Sequence, residues 1–288
     1  YEMLTRDWSS DVCSSDLNKK QLLVVGICLL LIVLVIFSVF YAFRSSGTAS
    51  KPRVSPPSRI ETSSSSTADS SQTEKDYLAE RFAKLKAVNS ETIGYVYAPG
   101  TQLDEPVVQT KDNETYLLKT FEGKQEPYMG AVFMDKDNHK DFSDRLTWLF
   151  GHARGSKAGD HRMFNDVNYY DRQDYFDKHR YVVIETPERK YYYQAMGLVI
   201  VPEETAFYRT EFKDDEDFTT QLRNIYEAAR TKDPEMKIKA SDRYLVLSTC
   251  REEDDTIRSN LYLRQIPDSE LLDFLAKHGK ELTYTPTR

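Results

Sequence analysis

One thiol, one imidazole and one guanidinium stand where the chain could mount reactive groups. Cys250 ends the apolar run Tyr244-Leu245-Val246-Leu247-Ser248-Thr249 and opens the polar segment Arg251-Glu252-Glu253-Asp254-Asp255. A strand end is rigid behind and open in front, which suits a nucleophile. The other two cysteines are Cys13 and Cys28, so there is no disulfide framework and no C-x-x-C pattern for zinc. Cys250 therefore reads as a working thiol rather than a small core residue. A thiolate nucleophile needs a proton-transfer partner and a group that stabilises developing charge. Of the histidines 139, 152, 161, 179 and 278, His152 follows the run Thr147-Trp148-Leu149-Phe150 through Gly151 and enters a polar, glycine-containing loop. His161, in the same loop, is its rival. His139, His179 and His278 have charged neighbours and read as solvated surface groups. Arg258 lies eight residues after Cys250, a spacing at which a hairpin returns it beside the thiol. The plainer reading of Arg258 is a surface ion pair to Asp254 or Asp255. Arg264 has the right parity to share its strand face and is the alternative cation. His152 and His161 lack a third ligand at a familiar spacing, so a metal site is a weak reading.

The elements that must hold these groups are mostly strands. Short β-rich runs with turn signals between them occur at 93–97, 106–109, 130–134, 146–150, 181–185, 190–200, 244–248 and 260–266. That pattern predicts a mainly β fold, a closed barrel or a sandwich. Three helices are expected. One covers 75–88, with Tyr77, Leu78, Phe82, Leu85 and Val88 at helical spacing. A second covers about 217–231, inserted before the cysteine strand and stopped by Pro234. The third, at 269–278, carries Leu271, Leu272 and Leu275.

The 288 residues carry 39 basic and 46 acidic side chains, 40% of them are hydrophobic, and the balance is acidic. That composition is globular, and it argues against a nucleic-acid partner, which needs a clustered basic face. The string Asp7–Leu17 has no helical or strand periodicity and matches one reading frame of a sequencing-library adapter, so 1–17 is expected to be non-native. Leu22–Phe43 is free of charge and long enough as a helix, roughly 33 Å at ~1.5 Å per residue, to cross a bilayer. Residues 18–44 are thus expected to be a single-pass membrane anchor, with the rest of the chain outside the cell. Residues 45–74 are rich in Ser, Thr and Pro and read as a flexible stalk. Residues 75–288 form the expected single domain.

In order along the chain, these segments resemble class B sortases. The resemblance rests on Ile93-Gly94-Tyr95-Val96 with Pro99-Gly100-Thr101, on Glu105-Pro106-Val107-Val108-Gln109, and on Asp112-Asn113 before Tyr116-Leu117. It continues through Gly130-Ala131-Val132-Phe133-Met134-Asp135, Gly151-His152 followed by Met163-Phe164, and Leu247-Ser248-Thr249-Cys250 with Arg258. Ala153 and Val246 depart from the family pattern, and the loop before Met163 is longer. The resemblance implies a closed sortase barrel and a cysteine transpeptidase of Gram-positive surfaces. It implies Cys250 as nucleophile, His152 as acid and base, and Arg258 as oxyanion stabiliser, with Ser248 and Thr249 lining the site. The implied partners are secreted proteins carrying a C-terminal sorting signal and an acceptor amine on a cell-wall precursor or a pilin. No cofactor is expected. A hydrolytic cysteine peptidase and a non-enzymatic ligand-binding β domain are the alternatives.

Overall fold

The computed structural model describes residues 66–287 except 127, 128, 154–161, 206 and 252. The adapter-like string, the apolar run 22–43 and the stalk up to residue 65 lie outside the described residues. Strands β1 (Thr92–Tyr97), β2 (Asp104–Val108), β3 (Val132–Met134), β4 (Leu146–Phe150), β5 (Tyr181–Glu185), β6 (Lys190–Pro202), β8 (Tyr244–Cys250) and β9 (Ile257–Gln265) hydrogen-bond in the order β5-β1-β2-β3-β4-β8-β9-β6. A β5–β6 pairing closes the ring into an eight-stranded barrel. The thirteen-residue β6 makes this possible: its first part pairs with β5, and the longer remainder pairs with β9. The two-residue β7 (Thr231–Lys232) adds to β6 further along.

Strand alternation sorts the apolar side chains onto two faces. Val96, Val107, Val132, Leu149, Leu198, Leu245, Leu247, Leu261 and Leu263 fill the interior. Trp148, Met196, Val199, Tyr244, Val246 and Tyr262 face outward, and there they meet helix α4 (Asp215–Ala228) through Phe218, Leu222 and Ile225. This helix starts two residues earlier than expected because Asp214 caps it, its carboxylate accepting from the Asp217 N–H at 2.9 Å. Helix α1 (Ser66–Val88) buries Leu78 and Phe82 against the barrel. It begins nine residues before the sequence pattern predicts. Helix α2 (Thr115–Leu118), a 3-10 turn at Asn165–Asp171, and helix α3 (Gln173–Lys178) were not expected. Helix α5 (Asp268–His278) packs against Tyr181 and Tyr192, and a 3-10 turn at Gly279–Leu282 follows it.

The single-pass membrane localisation expected from the sequence requires correction. Among the described residues no helix is long and apolar enough to cross a membrane. The run 22–43, on which that expectation rested, lies outside them.

Candidate active site

Three strands deliver the three candidate groups, and their pairing registers bring them together. Strand β4 runs parallel to β8, with Phe150 level with Ser248. The Gly151 N–H extends that ladder to the Ser248 carbonyl at 3.2 Å. Two residues beyond each of these partners stand His152 and Cys250, so the parallel register sets them at one level. Strand β9 is antiparallel to β8, and Arg258 is the direct cross-strand partner of Cys250. Such partners share a face, with Cβ atoms about 4.5–5.5 Å apart. Cys250, His152 and Arg258 line one cleft, with Leu117, Phe133 and Phe150 as its apolar walls.

Each group is held in its own way. Cys250 is a half-buried thiol, and its backbone carbonyl accepts from the Asn168 side-chain amide at 3.0 Å. Ser248 shares its face. Thr249 also borders the cleft, but the alternation of the strand turns its side chain to the opposite face, where it is buried. His152 is buried, and its Nε2 lies 2.6 Å from the Leu117 carbonyl. The Phe164 N–H binds the His152 carbonyl at 3.0 Å, and an Ala153–Met163 bridge closes the base of the loop behind it. The buried Glu105 carboxylate accepts the Met163 N–H at 2.7 Å, fixing that residue in a left-handed conformation with φ of 56°.

Arg258 is buried too. Its Nη1 donates to the Asp255 carbonyl at 2.5 Å and its Nη2 pairs with Glu203 Oε2 at 2.7 Å. The ion pair expected to Asp254 or Asp255 side chains is replaced by one to Glu203, just past the end of β6. Burial pushes the Glu203 carboxyl above its ordinary value, and the Arg258 charge opposes that rise.

The other candidates fall away from the cleft. Arg264 does share the outward face of β9, as its parity predicts, but it pairs with Tyr244 at the far end of β8. There its guanidinium is bound to Asp242 at 2.6 Å and to Glu270 at 2.8 Å. His179, read as a solvated group, is buried. Its ring packs against Tyr175 with centroids 4.3 Å apart and planes tilted by 41°, and burial lowers its pKa. His139 is exposed beside Asp144. His161 lies outside the described residues. Glu203, Leu117, Glu105 and Asn168 were missed as site residues. Only the order of short motifs hinted at Glu105 and Leu117, and nothing local marked Glu203 or Asn168.

No family model matches the chain. Sortase B of Staphylococcus aureus is 27% identical over 178 residues, 62% of this chain and 70% of that protein. Sortase B of Listeria monocytogenes is 25% identical over 180 residues, 62% of this chain and 71% of that protein. The S. aureus sortase B–substrate complex superposes with a TM-score of 0.60 at 25% identity, covering 69% of this chain and 94% of that one. In sequence and in fold the chain is similar to class B sortases, which are cysteine transpeptidases.

Proposed function

We propose that Cys250, His152 and Arg258 are the reacting groups, and that the substrate is a C-terminal sorting signal of a secreted protein. The Cys250 thiolate attacks a backbone carbonyl of the signal, forming a C–S bond and a tetrahedral oxyanion. Arg258 stabilises that negative charge. Collapse breaks the C–N bond, and His152 supplies the proton that the leaving amine takes away. An incoming amine then attacks the thioester, His152 accepts its proton, and the thiolate is released. The amine belongs to a cell-wall precursor or a pilin. Ser248, on the face of Cys250, contacts the bound signal, and the Phe133 and Phe150 rings form the apolar wall beside it. The carrying observation is the double register of β8, which places an imidazole and a guanidinium at the level of one thiol.

The test uses the full chain with a panel of sorting-signal peptides, with and without an amine acceptor, followed by mass spectrometry of protein and products. A thioacyl adduct on Cys250, absent in Cys250→Ala and carried onto the amine, is the expected result. Release as free acid despite saturating amine would replace transfer with hydrolysis. A folded protein whose thiol alkylates readily, yet which forms no adduct with any peptide, would count against this substrate class.

A further inference from the structure

The hydrogen bond between His152 Nε2 and the Leu117 carbonyl carries more chemistry than position alone. A carbonyl oxygen only accepts, so Nε2 must be the donor at 2.6 Å. We infer that the Leu117 carbonyl, seated by Gly130, fixes neutral His152 as the Nε2–H tautomer and so makes Nδ1 the atom that exchanges protons with substrate. This rests on the reading of His152 as acid and base given above. Leu117 and Gly130 are positioning residues in it, acting through the imidazole.

The acceptor is held from several sides. Helix α2, which carries Leu117, is anchored at its start by Asp112, whose Oδ1 accepts the Thr115 N–H at 2.7 Å and whose Oδ2 accepts the Thr115 hydroxyl at 2.9 Å. Tyr116 is buried. Its hydroxyl donates to Glu91 at 2.6 Å and accepts from the Asn89 amide at 2.7 Å. The Ala131 N–H binds the Tyr116 carbonyl at 3.0 Å and ties the helix to the segment entering β3. A carbonyl fixed in this way can select one tautomer, where a mobile one would follow the ring.

Gly130 makes the approach possible. It adopts a φ of 53°, and a Cβ there would stand 2.6 Å from the Tyr116 carbonyl oxygen, 2.8 Å from the Leu117 carbonyl oxygen and 2.8 Å from His152 Cδ2. Those are the acceptor, its neighbour and the ring itself. Glycine is therefore required at 130 both for its conformation and for the closeness of three groups around it. At the other end of the residue, the Phe164 N–H on the His152 carbonyl holds the backbone, so the ring is constrained at both ends.

The test is the nitrogen spectrum of the full chain labelled with 15N-histidine, recorded across a pH titration that ends with the ring neutral. The signal lost in His152→Gln assigns the residue. The expected pattern has Nε2 protonated throughout and Nδ1 alone converting from protonated to unprotonated as pH rises. A neutral ring protonated at Nδ1, or an even mixture, overturns the inference. Gly130→Ala gives a second readout. It should yield mixed tautomers and a kcat about 100-fold lower with KM little changed, as expected when a reacting group is displaced by about 1 Å. A folded Gly130→Ala enzyme with the wild-type spectrum and kcat would remove Gly130 from the device. If that variant does not fold, the wild-type spectrum still decides the tautomer. The thioacyl adduct on Cys250 is read separately, so loss of the function and loss of the tautomer assignment are distinguishable.

Discussion

Two arginines on one face of one strand should fail in opposite ways when removed. Arg258 and Arg264 both point outward from β9, six residues apart, which is about 20 Å at ~3.4 Å per residue. Arg258 stands opposite Cys250 and should serve the oxyanion. Losing one such donor lowers kcat by about 10²–10³, or ~2.7–4 kcal/mol of transition-state stabilisation. Arg258→Lys keeps the charge but loses the planar fork, so it should fall between wild type and Arg258→Ala. Arg264 instead bridges Asp242, which is 5% exposed at its side chain, and Glu270. Its removal leaves a buried carboxylate without its cation, which costs about 3–5 kcal/mol of stability. For a domain of this size that is a fall of about 6–20 °C in Tm at ~2–4 °C per kcal/mol. The assay is peptide cleavage at 25 °C paired with thermal melts of the same preparations. Arg258→Ala should lose kcat with the smaller fall in Tm, because the Glu203 carboxylate it leaves is 24% exposed against 5% for Asp242, while Arg264→Ala should keep kcat and lose stability. If Arg258→Ala keeps kcat within the order of wild type, or if Arg264→Ala loses as much activity as Arg258→Ala, the register argument is wrong.

Glu203 holds Arg258 and should shape the pH response of the fold. Its carboxyl is raised by burial, so the folded state binds its proton more tightly than the unfolded state does. The stability it contributes is present below the ordinary carboxylate range and is lost as pH rises through the raised value. Chemical denaturation of wild type and Glu203→Gln from pH 7 to pH 4 should therefore show wild type gaining on the variant as pH falls, and the opposite slope would refute this. Arg81, on α1, pairs with the fully buried Glu185 at 3.2 Å and lies over the Tyr95 ring at 3.8 Å. Lys190 still reaches Glu185 in its absence, so Arg81→Ala should cost about 3 kcal/mol, the lower end for a broken buried pair, and lower Tm by about 6–12 °C. Thermal melts check this, and kcat per folded molecule should not change. Gly151→Ala would place a Cβ 3.0 Å from the Phe164 ring and 3.1 Å from Val132. It should tilt the segment bearing His152 and reduce kcat more than KM, measured by initial rates.

The parts legible in the sequence were those governed by local pattern. Strands 146–150 and 181–185 have the bounds their apolar runs predict, and the spacing from Cys250 to Arg258 was enough to place the guanidinium across a hairpin. The pairing of β4 with β8 was not legible. The two lie about a hundred positions apart in the chain, and their parallel alignment depends on closure of the whole barrel. His179 was misread because Lys178 and Arg180 flank it, whereas a helix end can turn one ring inward between two exposed neighbours. The nine helical residues before 75 went unread because Ser and Thr have weak helix propensity. Glu203 carries no local mark at all: a glutamate after Pro202 reads as a turn residue until β9 brings Arg258 against it.

The placement of the three candidate groups follows from β8 being buried on both sides. Leu245 and Leu247 fill the barrel, while Tyr244 and Val246 pack under α4. A strand held on both faces resists the one-residue slip that would carry Cys250 from the outer face to the inner one. The hydrophobic pattern that specifies the fold is therefore also what aims the thiol. His152 and Arg258 inherit the same precision because each sits on, or just past, a strand that pairs directly with β8. Their fine adjustment falls to contacts from elsewhere in the chain, the Leu117 carbonyl for the imidazole and Glu203 for the guanidinium. On this division, substitutions in those contacts should alter rate and pH dependence while sparing the barrel, and substitutions along β8 should lose both together.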